Sequence, residues 1–212
     1  MLFLLLPIFM AALPVFTAFF LRKKLGVPLN IFLLCLLTGA ASVVPAAIAQ
    51  YFIPPISSLD IKSILFNVFC RVALTEESSR FLSLLSFLLF LTSSRKLEKE
   101  RNVSRFAAMG LVAGLGFALA ESAAYSANNI QIVLLRGFTT APMHAACGAR
   151  MGAAVFFMRE SPGMSVWRFL SAVIIHGTYN ILTVSPGIMR FFSILLVFSA
   201  LFSAIKESMN TD

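Results

Sequence analysis

The chain contains about seven apolar stretches that are each long enough to cross a lipid bilayer as a helix. They span roughly residues 2–21, 31–53, 62–92, 105–127, 138–158, 164–184 and 187–205. A helix needs about 20 apolar residues to cross about 30 Å of hydrocarbon. None of these stretches alternates polar and apolar residues as the strand of a membrane barrel does. We therefore predict an all-α, polytopic membrane helical bundle with about seven transmembrane helices.

The composition predicts one integral membrane domain over residues 1–212. Hydrophobic residues make up 59% of the chain and charged residues only 12%, which is about half the usual charged fraction of a soluble domain. The first stretch lacks a basic segment before it and is followed by Arg22, Lys23 and Lys24. This order is typical of a retained transmembrane helix, so we do not expect a cleaved signal peptide.

The basic residues are distributed unequally between the two predicted faces of the membrane. Eleven lie in loops or at the tail on one face: Arg22, Lys23, Lys24, Arg95, Lys96, Lys99, Arg101, Arg105, Arg159, Arg168 and Lys206. The opposite face has Lys62, Arg136 and Arg190. Because basic loops stay in the cytoplasm, we predict an external N-terminus and a cytoplasmic C-terminus. The net charge of +8 follows from this bias, and no nucleic-acid partner is expected.

Six charged residues lie in the interior of the predicted spans, away from the ends that carry the basic residues named above. Glu76, Glu77 and Arg80 fall in one span, and the others are Arg71, Glu121 and Arg150. Each charge near the bilayer centre costs about 2.5–3.5 kcal/mol on insertion scales, so such residues pair with one another or face a wet cavity, and they mark functional sites. The three acids and three bases balance in charge. We therefore expect a shared polar interior.

The helical spacing assigns different positions to the two adjacent glutamates. Consecutive residues point about 100° apart around a helix, so Glu76 and Glu77 cannot occupy the same position. Arg80 lies four residues after Glu76 and three after Glu77, which places it within reach of either carboxylate. We expect one glutamate to face the cavity while the arginine holds the other.

The next three spans each carry polar residues that we expect at a similar depth in the bilayer. Glu121 lies near the end of the fourth span, and a structural pairing with Arg71 or Arg150 is the alternative to a functional role. The fifth span begins near Thr140 and Pro142, a predicted cap and first turn. It carries His144, which either belongs to a functional site or is a hydrogen-bonded packing residue. In the sixth span, His176 and Asn180 lie one turn apart.

These side chains are predicted to meet in the outer half of the bilayer. With alternating helix directions and a rise of 1.5 Å per residue, the predicted positions fall within a slab about 10 Å thick. Both histidines of the chain and all three intramembrane carboxylates lie in it. The catalytic core is expected to cover about residues 62–185.

Four short motifs in this order resemble the PrsW family of intramembrane proteases, relatives of the CAAX prenyl proteases. The motifs are E-E-x-x-R at Glu76 to Arg80, F-x-x-x-E at Phe117 to Glu121, a single His144, and H-x-x-x-N at His176 to Asn180. The first motif usually ends in Lys, where this chain has Arg80. The CAAX-type relatives have His in the place of Glu121, which favours the PrsW branch.

The resemblance implies an intramembrane endopeptidase with Glu76, Glu77, Arg80, Glu121, His144, His176 and Asn180 as site residues. Its substrate would be a membrane-anchored protein, such as an anti-sigma factor cleaved near the outer leaflet of the bacterial cytoplasmic membrane. Two mechanisms stay open. In one, Glu76 activates water while His144, His176 and Asn180 hold the water and the oxyanion. In the other, Glu121, His144 and His176 bind zinc and Glu76 is the base.

Two other classes of function also accommodate buried charges. A proton-coupled transporter or channel would place polar residues along a path from both faces of the membrane. No internal repeat is visible, which weakens this alternative. A non-catalytic membrane scaffold would tolerate the loss of Glu76.

Overall fold

A computed structural model of the chain describes residues 14–20, 22–92, 101–125 and 136–209. Within these ranges the protein is helical and contains no strand, so the prediction of an all-α fold is confirmed. The helices, in chain order, are α1 (14–20), α2 (Leu29–Ala41), α3 (Val43–Phe52), α4 (Ile61–Leu65), a π-helix (Phe66–Leu74), α5 (Thr75–Thr92), α6 (Val103–Tyr125), α7 (Thr140–Glu160), α8 (Pro162–Val184) and α9 (Met189–Met209).

The helices follow the predicted apolar stretches closely. Helices α2 and α3 together occupy the second predicted stretch, and the third contains α4, the π-helix and α5. The first predicted stretch, 2–21, is described only over residues 14–20. Among the described helices, three segments are long and apolar enough to cross a membrane: Leu29–Phe52, Val103–Ala124 and Met189–Met209. The total of seven spans and the orientation of the termini stay predictions.

Helix α6 lies at the centre of the bundle, between α2 and α7. Its residues from Phe106 to Ala118 are all buried. Glycines permit the close approach of α6 and α7, because a Cβ on Gly114 would overlap the carbonyl oxygen of His144 and one on Gly148 would overlap that of Gly110. Small residues at such crossings let two backbones come into contact. This contact brings His144 of α7 next to α6.

The outer surface of the bundle is covered with exposed apolar side chains. Phe198 and Phe202 of α9 are 55% and 72% exposed, and Leu37 of α2 is 66% exposed. A continuous apolar surface of this kind is unfavourable in water, whereas it is compatible with contact to lipid tails. The polar side chains turn inward instead. Arg80, Glu77, His144 and His176 are among the most deeply buried large side chains of the described residues.

Helix α7 begins differently from the prediction. Thr140 was predicted to cap the helix, but it is the first helical residue, and the cap position belongs to Thr139. Neither threonine caps the helix through its side chain. Their hydroxyls lie 2.9 Å and 2.8 Å from the hydroxyl of Tyr179 on α8. This long-range contact takes the place of a local cap.

Replacing Gly114 with alanine tests the close contact between α6 and α7. The added Cβ would overlap the backbone of α7 at His144, and such overpacking destabilises a protein by about 1–3 kcal/mol. We expect a lower melting temperature in detergent, measured by thermal unfolding. Gly163→Ala is the matched control, because nothing lies within 4 Å of its added Cβ. Equal melting temperatures for the two variants would contradict the close contact.

Candidate active site

The π-helix positions the first glutamate of the site. It covers Phe66–Leu74 and ends immediately before Thr75, whose hydroxyl donates to the carbonyl oxygens of Arg71 at 2.6 Å and Val72 at 3.0 Å. Hydrogen bonds in a π-helix join residues five apart, a wider turn than that of an α-helix. Arg71, Val72 and Glu76 consequently share the face that lines a cavity. No pattern in the sequence predicted this π-helix.

Glu77 and Arg80 form an ion pair at the centre of the site. Arg80 Nη1 lies 2.5 Å from Glu77 Oε2, and both side chains are fully buried. The guanidinium carbon also lies 4.2 Å from the centroid of the Phe117 ring, at a distance typical of a cation–π contact. Arg80 therefore pairs with Glu77, and Glu76 is left to face the cavity.

Arg80 also fixes the orientation and tautomer of His144. Its Nη2 donates to His144 Nδ1 at 3.0 Å. Because a guanidinium has no acceptor atom, Nδ1 must be unprotonated, so a neutral His144 carries its proton on Nε2. That nitrogen lies 2.8 Å from Glu121 Oε2. His144 thus presents an N–H donor on the side of the cavity.

His176 has the opposite arrangement. Its Nδ1 donates to Glu77 Oε1 at 2.8 Å, because the carboxylate can only accept. In a neutral His176, Nε2 then carries a lone pair, and it faces Glu76 Oε2 at 3.7 Å. The two imidazole rings meet edge to face with their centroids 5.1 Å apart. In their neutral forms, His144 offers a donor to the cavity and His176 an acceptor.

Glu76 has one oxygen held and one oxygen without a partner. Gln50 Nε2, at the end of α3, donates to Glu76 Oε1 at 3.1 Å and to Thr75 Oγ1 at 3.3 Å. Glu76 Oε2 is buried and has no hydrogen-bond partner among the described residues. A buried carboxylate oxygen without a partner is costly. Its position next to His176 Nε2 provides a place for a water molecule or a cation.

Glu121 is paired with a residue that the sequence analysis placed in an external loop. Glu121 Oε2 lies 2.6 Å from Arg136 Nη2 as well as next to His144. The alternative pairing of Glu121 with Arg71 or Arg150 is not found. Arg71 instead donates to the carbonyls of Ile53 and Gln50, and Arg150 donates to those of Ala146 and Ala200.

These groups surround a cavity of about 400 Å³. Its lining includes Glu76, Glu121, His144, His176 and Asn180 from the sequence-based set, while Glu77 and Arg80 lie behind it. The side-chain amide of Asn180 has no hydrogen-bond partner in the part of the chain that the structure describes. The polar lining residues outside that set are Gln50, Arg71, Arg136, Thr139, Thr140, Tyr179 and Thr183. Gln50 and Tyr179 did give a signal, since each is a polar group near the end of an apolar stretch.

The cavity also contains a donor set suitable for a divalent cation. Ligand atoms of Glu76, His144 and His176 lie within 4.8 Å of one another, and nitrogen and carboxylate ligands suit zinc. The unpartnered Glu76 Oε2 supports this fit. Glu121, which the sequence analysis placed in the set, instead contacts His144 Nε2 and Arg136. Binding through His144 requires its Nε2 proton to leave or Arg80 to release Nδ1.

The comparisons with known proteins agree with the geometry. The family model described as PrsW family intramembrane metalloprotease matches residues 27–205, which is most of the chain. No curated protein and no solved structure is significantly similar to it.

Replacing Glu77 with glutamine tests whether the buried ion pair stabilises the bundle. The change leaves the fully buried Arg80 without a counter-ion, a loss that typically costs about 3–5 kcal/mol. We expect a large decrease in unfolding free energy, measured by denaturation in detergent. Glu160→Gln is the control, because Glu160 is 50% exposed in its ion pair with Arg101. Such exposed pairs contribute about 1 kcal/mol or less, and similar losses for both variants would contradict the central role of Glu77.

Proposed function

Because the chain belongs to the PrsW family of intramembrane metalloproteases, we propose that it hydrolyses a peptide bond of a membrane-anchored protein in the cavity at Glu76. The observation that carries this proposal is the unpartnered, buried Glu76 Oε2, 3.7 Å from His176 Nε2. Peptide hydrolysis needs a base to activate water and donors for the developing oxyanion. The cavity contains both.

In the proposed mechanism, Glu76 is the general base. Water bound between Glu76 Oε2 and His176 Nε2 attacks the scissile carbonyl carbon as Glu76 takes its proton. The resulting oxyanion accepts hydrogen bonds from His144 Nε2–H and the Asn180 amide. When the carbon–nitrogen bond breaks, Glu76 returns the proton to the leaving amine. This assignment agrees with the tautomers set by Glu77 and Arg80.

The remaining residues position those that react. Gln50 holds Glu76 Oε1, so that Oε2 is the oxygen that faces the cavity. Glu121 accepts from His144 Nε2 when no substrate is bound. When bound, a divalent cation held by Glu76, His144 and His176 would supply a Lewis acid for the scissile carbonyl.

We also propose that the site opens toward the outer leaflet of a bacterial cytoplasmic membrane. The distribution of the basic residues predicts an external N-terminus, which would put the cavity residues in the outer half of the bilayer. A membrane-anchored anti-sigma factor is the proposed substrate class, supported by the resemblance to PrsW-like enzymes.

Removing the base and its histidine partner should abolish proteolysis. We expect Glu76→Gln and His176→Ala each to lower the turnover number by about 10²–10⁴-fold, the usual contribution of general acid–base catalysis. The assay is cleavage of candidate single-span substrates in proteoliposomes, followed by mass spectrometry. Glu207→Gln is the control, because Glu207 pairs with Arg168 and does not line the cavity. Cleavage at wild-type rates by the Glu76 and His176 variants would exclude this mechanism.

Exhaustive metal removal should leave the activity unchanged. The reason is that Arg80 occupies Nδ1 of His144, which keeps the proton on the nitrogen that a cation would need. Activity after chelation and dialysis is compared with the metal content determined by mass spectrometry. Loss of cleavage that one equivalent of zinc restores would establish the metal-dependent mechanism instead.

A further inference from the structure

Among the described residues, one of the two cations that line the cavity has no acidic partner. Arg80 pairs with Glu77, and Arg136 pairs with Glu121. Arg71 also lines the cavity, but it forms no ion pair with a carboxylate of the described residues. An uncompensated charge within a membrane span is costly, and such residues mark substrate or ion sites. Arg71 is therefore a candidate binding group.

The contacts of Arg71 orient its guanidinium without neutralising it. Nε donates to the carbonyl oxygen of Ile53 at 2.7 Å, and Nη2 donates to that of Gln50 at 3.3 Å. Both acceptors belong to the C-terminal end of α3 and the residue after it. These two bonds do not use Nη1. A guanidinium held in this way is preorganised for a second, anionic acceptor, since its planar fork matches a carboxylate.

We propose that Arg71 forms a subsite that binds a carboxylate of the peptide substrate. This proposal rests on the proposed proteolysis at Glu76. The carboxylate comes either from an acidic side chain near the scissile bond or from a substrate C-terminus. Arg71 then contributes to substrate selection, in addition to holding the end of α3.

The position of Arg71 limits where the carboxylate can lie. Arg71 precedes Glu76 by five residues, which is at most about 7 Å along the axis, because the wider turns of the π-helix advance less per residue than those of an α-helix. An extended peptide advances about 3.3–3.6 Å per residue. The recognised carboxylate therefore lies about two residues from the bond that is cleaved. An acidic residue much farther along the substrate would not reach Arg71.

The experiment uses a synthetic single-span peptide that wild-type protein cleaves in phosphatidylcholine vesicles. Aspartate or asparagine replaces each residue within three positions of the cut, and a separate pair carries a C-terminal carboxylate or amide. We expect one acidic position to raise kcat/KM by about 10- to 100-fold over its amide counterpart, the usual range for a hydrogen bond to a charged group. Vesicles of neutral lipid exclude binding of Arg71 to an anionic headgroup.

Variants separate substrate recognition from a structural role. Arg71→Gln should reduce the ratio of kcat/KM between the aspartate and asparagine peptides to about one, mainly by raising KM for the aspartate peptide. Arg71→Lys should keep part of the preference because it keeps the charge. Arg150→Gln is the matched control, since Arg150 also donates to carbonyls but does not line the cavity, and it should keep the full ratio.

Two results would overturn the subsite. One is the absence of any carboxylate preference in the wild-type protein, and the other is an equal loss for both peptides in Arg71→Gln. If Arg71→Gln fails to fold, binding of the two uncleaved peptides to Glu76→Gln protein, with and without Arg71→Lys, decides the question. A peptidase that is active but indifferent to charge refutes the subsite alone. Cleavage of the starting peptide at the wild-type rate by Glu76→Gln protein refutes the proposed function as well.

Discussion

The site depends on the burial of one guanidinium inside an apolar helical bundle. Arg80 is fully buried, and a charge in that position is tolerated only when its counter-ion and hydrogen-bond acceptors surround it. Glu77 supplies the charge, His144 accepts a hydrogen bond, and Phe117 presents its ring. These three partners come from α5, α7 and α6. The ion pair, hydrogen bond and ring contact of this single side chain therefore fix the relative positions of three helices.

Glu77 extends this constraint to a fourth helix. Its second oxygen accepts from His176 of α8, so one carboxylate links the arginine to the second histidine. The contacts are possible only because glycines let α6 and α7 touch, which brings His144 within 3.0 Å of Arg80. The close contact between α6 and α7 and the burial of Arg80 thus depend on each other. Separating the helices would leave Nη2 of Arg80 without its acceptor on His144.

The sequence predicted the helices, and it predicted that the buried carboxylates and the two histidines come together, because apolar length and the spacing of charges are local signals. Apolar stretches of span length define helices, and Glu76, Glu77 and Arg80 carry their spacing in the chain itself. The partner of Glu121 was not predictable in this way, since Arg136 reaches it from beyond the end of α6. Gln50 is similar, because it meets Glu76 across 26 positions of sequence. The π-helix has no recognisable pattern in a largely apolar stretch of sequence. Its wider turns place Arg71 and Glu76 on the same face.

Adjacent glutamates give the site two carboxylates with different tasks. Because Glu76 and Glu77 point in different directions around one helix, Glu77 faces the protein interior and Glu76 faces the cavity. Glu77 then sets the tautomer of His176, while Arg80, held by Glu77, sets that of His144. One buried carboxylate thereby makes one histidine an acceptor and the other a donor. The proposed base, Glu76, needs this difference, since water activation calls for the acceptor and oxyanion binding for the donor.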